Sequence, residues 1–308
     1  MPKIYALGET VYDIIFKNAV PVTAKAGGSM LNTAVSLGRL GLDVSFVSDM
    51  GDDMIGNEII MFLEKNGIHT GHVQRYEHHK SSLAIAFLNE INNAEYSFYR
   101  DYPENRLEGL TIDFKKDDIL LYGSFFALTP EIRPVLVSIL KMASEAGCIM
   151  IYDPNFRKTH LHELEQLRKY ISENIYYADI VRGSDEDFQF IYGAESPEKA
   201  FEKVSGEGCL NLVYTANKNG VYALSEATNV FFEVPEIKVI SSIGAGDNFN
   251  AGIIRSIVMH NLKKQNLKSL DKQSWDKIIP LGIEFASEVC KSYDNYIAKD
   301  FAMKYVLE

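Results

Sequence analysis

The chain has 308 residues and is 46% hydrophobic, which suits one large α/β domain with a sizeable core. Its formal net charge is −11 and its pI is near 5.2, with lysines and arginines scattered rather than gathered into a stripe, so a nucleic-acid partner would meet repulsion and is excluded. No apolar run approaches the roughly 20 residues that span a bilayer, and the start MPKIYALGETVYD lacks a basic segment, an apolar stretch and a cleavage site; a cytoplasmic location without a membrane partner is expected.

A first strand is predicted at 3–8 (KIYALG). Residues 9–26 follow with the period-two pattern of antiparallel strands, then a helix over 29–40, a strand over 43–49 and a helix over 54–66. A second period-two region spans about 80–101, with Asn92-Asn93 at the tip of a hairpin. Beyond it, strands are predicted at 118–122, 148–153, 179–182 and 210–215, and helices at 130–146, 161–177, 196–205 and 246–261. This alternation is the signature of a mostly parallel sheet with helices on both faces. The two period-two regions suit a small antiparallel sheet standing off the main one as a lid, so residues 1–308 read as one α/β domain with a lid inserted through it. The stretch 262–275, polar and basic, reads as a surface connection between two late helices.

Cys148, Cys209 and Cys290 are far apart in sequence, and Cys148 and Cys209 adjoin strand-like runs, which suits buried reduced thiols. The histidine pairs His78-His79 and His160/His162 lack other ligands at metal-binding spacing and read as loop residues.

Two glycine-rich elements carry chemistry. In SSIGAGDNFNAGII (241–254), Gly244, Ala245 and Gly246 allow a tight turn, and the apolar spacing that follows starts a helix at about Asp247. A helix N-terminus with outward amides is a natural seat for phosphate. In AGGSMLNTAVSLGRLG (26–41), Gly27 and Gly28 open a helix with Asn32 in its first turn; paired glycines admit a ligand close to the backbone, and an amide suits sugar hydroxyls. A dinucleotide-binding turn would need glycines directly after the first strand, and ETVYD stands there instead.

Together, in this order and about 210 residues apart, the two elements resemble the paired signatures of the ribokinase-like, or phosphofructokinase B-type, carbohydrate kinases. The landmarks GETVYD (8–13), FYRDYPENRL (98–107), YGSFF (122–126), YDPNFR (152–157), ADIVRGSDEDF (178–188) and VYTANKNGVYAL (213–224) extend the resemblance over essentially the whole chain. FYRD and DPNFR look most like the fructokinase and 2-keto-3-deoxygluconate kinase branch. The resemblance implies a three-layer sandwich with a β lid, and transfer of the γ-phosphate of ATP, with Mg²⁺, to a small sugar, a fructose-like ketose first. Kinases of 2-keto-3-deoxygluconate or a nucleoside, and a non-catalytic sugar-binding protein on the same fold, remain as alternatives. A homodimer through the lid is compatible with this architecture.

Residue by residue, the resemblance implies Asp247 as the base, the amides of Gly244, Ala245 and Gly246 as an anion hole, and Arg157 beside the transferred phosphate. Asp13, Gly27, Gly28 and Asn32 would hold the sugar, with Arg100 reaching down from the lid. Ser184 and Asp187 match the position that organises Mg²⁺ and phosphates through water, although Asp is one methylene shorter than the usual Glu. Thr215 and Gly220 match the nucleotide-side loop, where Asn217 replaces a glycine and must tolerate a positive φ. Ser287 falls where the family lines the adenine site. Many relatives carry Asp-Thr before the GAG turn and small residues after the late helix, which cage a monovalent cation. Ser241-Ser242 and KSYDNYIAK stand in those places here, so no requirement for K⁺ is expected, the turn being held by the two serine hydroxyls instead.

Overall fold

The computed structural model describes residues 1–88 and 94–306. In chain order, β1 (Ile4–Leu7) leads into β2 (Val11–Lys17) and β3 (Val20–Gly27), then α1 (Ser29–Arg39), β4 (Val44–Gly51), α2 (Met54–Lys65) and β5 (Ile68–Tyr76). A second pair, β6 (Leu83–Leu88) and β7 (Ala94–Tyr99), precedes β8 (Ile119–Gly123), α3 (Arg133–Ala146), β9 (Ile149–Asp153), α4 (Leu164–Tyr177) and β10 (Ile180–Ser184). The remainder is α5 (Asp185–Tyr192), α6 (Pro197–Gly206), β11 (Asn211–Thr215), β12 (Val221–Ser225), β13 (Asn229–Phe232), α7 (Ala245–Met259), α8 (Lys272–Val289) and the short α9 (Lys299–Ala302).

Nine strands form one sheet in the order β13-β12-β11-β10-β9-β8-β1-β4-β5. The seven from β11 to β5 are parallel, and β12 and β13 extend the edge in antiparallel fashion. Successive side chains of a strand point to opposite faces, so β8 sends Ile119 and Leu121 into a core made with α1, α2, α7 and α8, and Leu120 and Tyr122 into a second core made with α3 to α6. Both faces of the sheet are thereby covered, as a parallel sheet requires. This is the mostly parallel α/β sheet that the alternation of apolar runs predicts, in the ribokinase-like arrangement that the resemblance implies. Helix ends follow their local chemistry: Asp53 caps α2 by accepting from the Gly56 amide at 2.8 Å, and Gly147, at φ 82°, ends α3.

The small sheet has the order β3-β2-β6-β7. Each of its two hairpins is antiparallel, and β2 and β6 join them in parallel, Tyr12 opposite Leu83. Asn92-Asn93, the expected hairpin tip, lies outside the described residues. Four regions depart from the sequence reading. Strand β5, the β12–β13 hairpin and helix α5 were not expected from the pattern. The connection 262–275 is not simply surface: Leu267, Leu270 and Trp275 are buried, and α8 already begins at Lys272. These apolar residues anchor it, Lys264 Nζ donates to the Cys148 carbonyl at 2.7 Å and to Asp179 at 2.8 Å, and Asn211 donates to the Leu267 carbonyl at 2.7 Å. Cys148 and Cys209 are buried free thiols. No helix among the described residues is long and apolar enough to cross a membrane.

Candidate active site

Six of the seven parallel strands end at Leu7, Gly51, Gly123, Asp153, Ser184 and Thr215, and the N-termini of α1 and α7 open at the same end of the sheet. In open α/β sheets ligands bind beyond these carboxyl ends. Gly244 forms the N-cap of α7 at φ 81°, a left-handed conformation, and a Cβ there would stand 2.6 Å from the Asn295 carbonyl. The helix thus starts at Ala245, two residues before the expected position. Asn248 clamps this turn: its Nδ2 donates to the carbonyls of Gly244 and Asn295, each at 2.8 Å, while Ser36 donates to its Oδ1 at 2.5 Å. Among the described residues, neither the N–H of Gly246 nor that of Asp247 has a partner.

Asp247 is buried in the first turn of α7. Ser29 Oγ donates to its Oδ1 at 2.6 Å and Asn32 Nδ2 to its Oδ2 at 2.8 Å, while Thr33 Oγ1 donates to its carbonyl at 2.8 Å. The first turn of α1 therefore orients the carboxylate. Burial pushes the Asp247 carboxyl up to about 6, against the lowering effect of the Ser29 and Asn32 hydrogen bonds; the charge of Asp153 adds to the rise and that of Arg157 opposes it. Asn32, expected to face a sugar, is committed through its amide N–H to Asp247, and its Oδ1 is buried without a partner. Ser29, an orienting residue, was not singled out from sequence, although its place beside the glycine pair is the signal that could have found it.

On the other side of α1, Asp13 of β2 lies against Gly27, so close that a Cβ on Gly27 would strike its carboxylate. Burial pushes the Asp13 carboxyl up to about 6, opposed by the charge of Lys25. Gly28 adopts φ 136°, and a Cβ there would stand 2.5 Å from the Glu9 carbonyl. Arg100, at the end of the small sheet, pairs with Glu9 (Nε to Oε1, 3.4 Å), and the Tyr102 hydroxyl donates to the same oxygen at 3.1 Å. Tyr102 in turn covers the Arg106 guanidinium, 3.6 Å from its ring centre, and Arg106 makes a buried two-bond pair with Asp49 at 2.8 Å. Glu9 was missed as a partner of Arg100, although it lies within the GETVYD landmark.

Arg157 is exposed, follows β9 and is a favourable charge for Asp247. Asp187 takes hydrogen bonds from the amides of Phe156 (2.6 Å) and Ser184 (2.7 Å) and from the Ser184 hydroxyl (2.7 Å), so it joins the Arg157 loop to the start of α5. Burial pushes its carboxyl up, and Asp153 adds to the rise. With Ser184 it completes a capping box. Thr215 ends β11, and Asn217 takes φ 48°, the positive value that its place in the loop requires. Gly220 has φ 99° with the Phe231 ring pressed against it. Ser287 lies half-buried in the last turn of α8, the helix packed on α7. Ser241 Oγ accepts from the Ile243 amide at 3.2 Å; Ser242 supports the turn through its backbone carbonyl, which accepts from Ala245, rather than through its hydroxyl as expected.

A buried carboxylate thus stands in the first turn of a helix whose Gly246 and Asp247 amides are unpaired among the described residues, at the carboxyl end of a ribokinase-like α/β sheet. The model of the pfkB family of carbohydrate kinases matches residues 1–299, and the chain belongs to that family. It is 28% identical to Fructokinase-1 of Oryza sativa subsp. japonica over 283 residues, 87% of either chain, and 29% identical to Fructokinase-1 of Zea mays, covering 87% of this chain and 86% of that one. In solved structures, the fold is similar to Fructokinase with bound ATP from Xylella fastidiosa (TM-score 0.85, 20% identity, 99% and 98% of the chains). It is also similar to Fructokinase from Vibrio cholerae O395 in its fructose-, ADP- and calcium-bound form (TM-score 0.82, 19% identity, 100% and 99%). The protein is a sugar kinase.

Proposed function

We propose that this kinase transfers the γ-phosphate of ATP to a hydroxyl of a neutral, fructose-like ketose. The observation that carries this reading is the Asp247 carboxylate, held by Ser29 and Asn32 beside the unpaired amides of Gly246 and Asp247. Asp13, whose carboxylate accepts from no protein donor among the described residues, accepts hydroxyl hydrogens of the sugar, and Gly27 and Gly28 let the ring approach the backbone. Asp247 then accepts the proton of the attacking hydroxyl, a role worth about 10²–10⁴-fold. The amides at the start of α7 and the Arg157 guanidinium steady charge on the phosphoryl oxygens, while the small sheet acts as the lid that excludes water. Magnesium carried on the nucleotide phosphates would neutralise their charge. Asp187, already committed to three protein donors, meets it only through water. Arg100, engaged by Glu9, is not a free cation for a sugar carboxylate, which supports a ketose over a keto-acid. The names of the plant and bacterial relatives support fructose.

The test is ADP release in a coupled assay over ketoses, keto-acids, pentoses and nucleosides. Fructose is expected to give the highest kcat/KM; a higher value for 2-keto-3-deoxygluconate or a nucleoside would move the substrate within the family, and no turnover of any would leave a sugar-binding protein.

The pH profile gives a sharper check. Both Asp13 and Asp247 must be ionised in the free enzyme, and both carboxyls lie at about 6. kcat/KM is therefore expected to be flat above about pH 7 and to fall below about pH 6 with a log slope approaching two. A slope of one would leave only one of them essential.

We also propose that the enzyme needs no K⁺. The Asn295 carbonyl and the Gly244 carbonyl are already bridged by the Asn248 amide, and Ser241 has no charge to offset a cation. Initial rates with saturating Mg-ATP in potassium and in tetramethylammonium salts are expected to agree within about threefold, whereas a tenfold rise with K⁺ would show a working cation site.

A further inference from the structure

Arg182 is the third residue of β10, whose first four residues are all buried, and its side chain is 9% exposed. Its Nη1 donates to Asp153 Oδ2 at 3.0 Å and its Nη2 to Thr215 Oγ1 at 2.9 Å. These partners end the two strands that flank β10 in the sheet. Asp153 ends β9 just before the loop that carries Arg157, and it is also held by Asn250 Nδ2 (2.6 Å) and the Asn155 amide (3.0 Å). Thr215 ends β11 and opens the loop with Asn217 and Gly220. Between the two contacts the guanidinium lies directly against Gly246: a Cβ on that glycine would stand 2.5 Å from Nη1. The Phe249 ring closes the other side, 5.6 Å from the guanidinium carbon, and Nε is buried with no partner.

We propose that Arg182 is a positioning residue for phosphoryl transfer, whose one guanidinium braces the Gly244–Asp247 turn and locks the β9 and β11 strand ends to it. The inference rests on the reading of that turn as the phosphate seat. A planar fork can serve Asp153 and Thr215 at once in fixed directions, which a lysine ammonium cannot do with the same geometry. It also explains the glycine at 246, since any side chain there would displace the fork. The charge matters as well as the shape. The charged groups that act on Asp247 are Asp153 and Arg157, with Ser29 and Asn32 as neutral hydrogen-bond donors. Arg182 cancels the carboxylate of that pair, so the seat for an anion is not faced by an uncompensated negative charge.

The experiment compares Arg182→Lys, Arg182→Met and the double variant Asp153→Asn/Arg182→Met. The double variant leaves no unpaired buried carboxylate and therefore separates function from folding, which melting curves monitor. Affinity for a non-hydrolysable ATP analogue with magnesium is read by calorimetry, and sugar-kinase turnover is read alongside it. For Arg182→Met and for the double variant, roughly tenfold or greater loss of nucleotide affinity and about 10²-fold loss of kcat are expected, with the sugar KM within about threefold of wild type. Arg182→Lys, which keeps the charge and loses the fork, is expected to fall between. The acid limb of Arg182→Met should move to higher pH as Asp153 is left uncompensated, and should return in the double variant. A double variant that melts like the wild type and matches it in nucleotide affinity and kcat would overturn the role of Arg182, which would then merely neutralise Asp153. A wild type that binds no nucleotide would instead overturn the reading of the turn as the phosphate seat.

Discussion

Asp247→Asn is expected to melt above the wild type at neutral pH while turning over about 10²–10⁴ times more slowly. The loss of rate follows from removing the base while the amides at the start of α7 stay in place, so affinity for Mg-ATP should be unchanged. The gain in stability follows from linkage. The folded-state carboxyl lies at about 6 against an ordinary value of 3.8, so the native state binds the proton more tightly than the unfolded chain. Ionised Asp247 therefore costs stability, fully so above pH 6 and not at all below about pH 4, and a two-unit shift corresponds to about 2–3 kcal/mol. A neutral amide avoids that cost and keeps the Ser29 bond. The Asn32 amide must turn over so that its Oδ1 accepts from the new amide, which moves its Nδ2 to the place without a partner, so the gain comes from removing the buried charge alone. Melting curves of both proteins should diverge between pH 4 and 6 and stay apart above it. Equal melting temperatures at pH 8 would mean that the carboxylate is not held under strain, and turnover within threefold of wild type would remove it from the base role.

Gly244→Ala is expected to lower kcat by roughly 10²–10³, the scale of a lost anion-hole donor, and to lower the melting temperature as well. Alanine at φ 81° costs on the order of 1 kcal/mol for its left-handed backbone. The larger effect is steric, because the new methyl would meet the carbonyl oxygen and Cα of Asn295, backbone atoms that have no room to retreat. The turn must then shift away from the 292–297 segment, and the Asn248 clamp opens. Binding of the sugar alone, which depends on Asp13 and the Gly27-Gly28 backbone, should change little. If calorimetry shows sugar affinity falling as much as kcat, the turn and the sugar side are one unit and the division proposed here is wrong.

The glycine-rich turns were legible in the sequence because each stands at the point where apolar spacing switches to a helical period, and Asn217 was legible because few other residues accept its positive φ. The parallel sheet was legible because its central strands are uniform apolar runs. What escaped notice had weaker marks. Strand β5 (IHTGHVQRY) is a half-exposed edge strand with no clean alternation, and α5 opens with Asp185, Glu186 and Asp187, whose fitness for a helix start shows only in the Ser184 capping box. The lysines of 262–275 hid the spacing of Leu267, Leu270 and Trp275. Within the site, Asn32 was assigned by its chemistry to a sugar, but the approach of α7 turned it to Asp247, a contact across 215 residues that no local pattern reports. Arg182 had a readable signal, a lone cation inside a buried strand, but not its two partners.

The four side chains that α1 extends to the start of α7, Ser29, Asn32, Thr33 and Ser36, reach partners 212 to 218 residues further along. During synthesis from the N-terminus, Asp13, Gly27 and Gly28, the residues proposed to hold the sugar, emerge long before Asp247 leaves the ribosome. Contacts of such long separation close late. With the roles proposed above, a nascent or truncated chain would carry sugar-binding groups without a base, and could not spend nucleotide until α7, in the last fifth of the polypeptide, has docked.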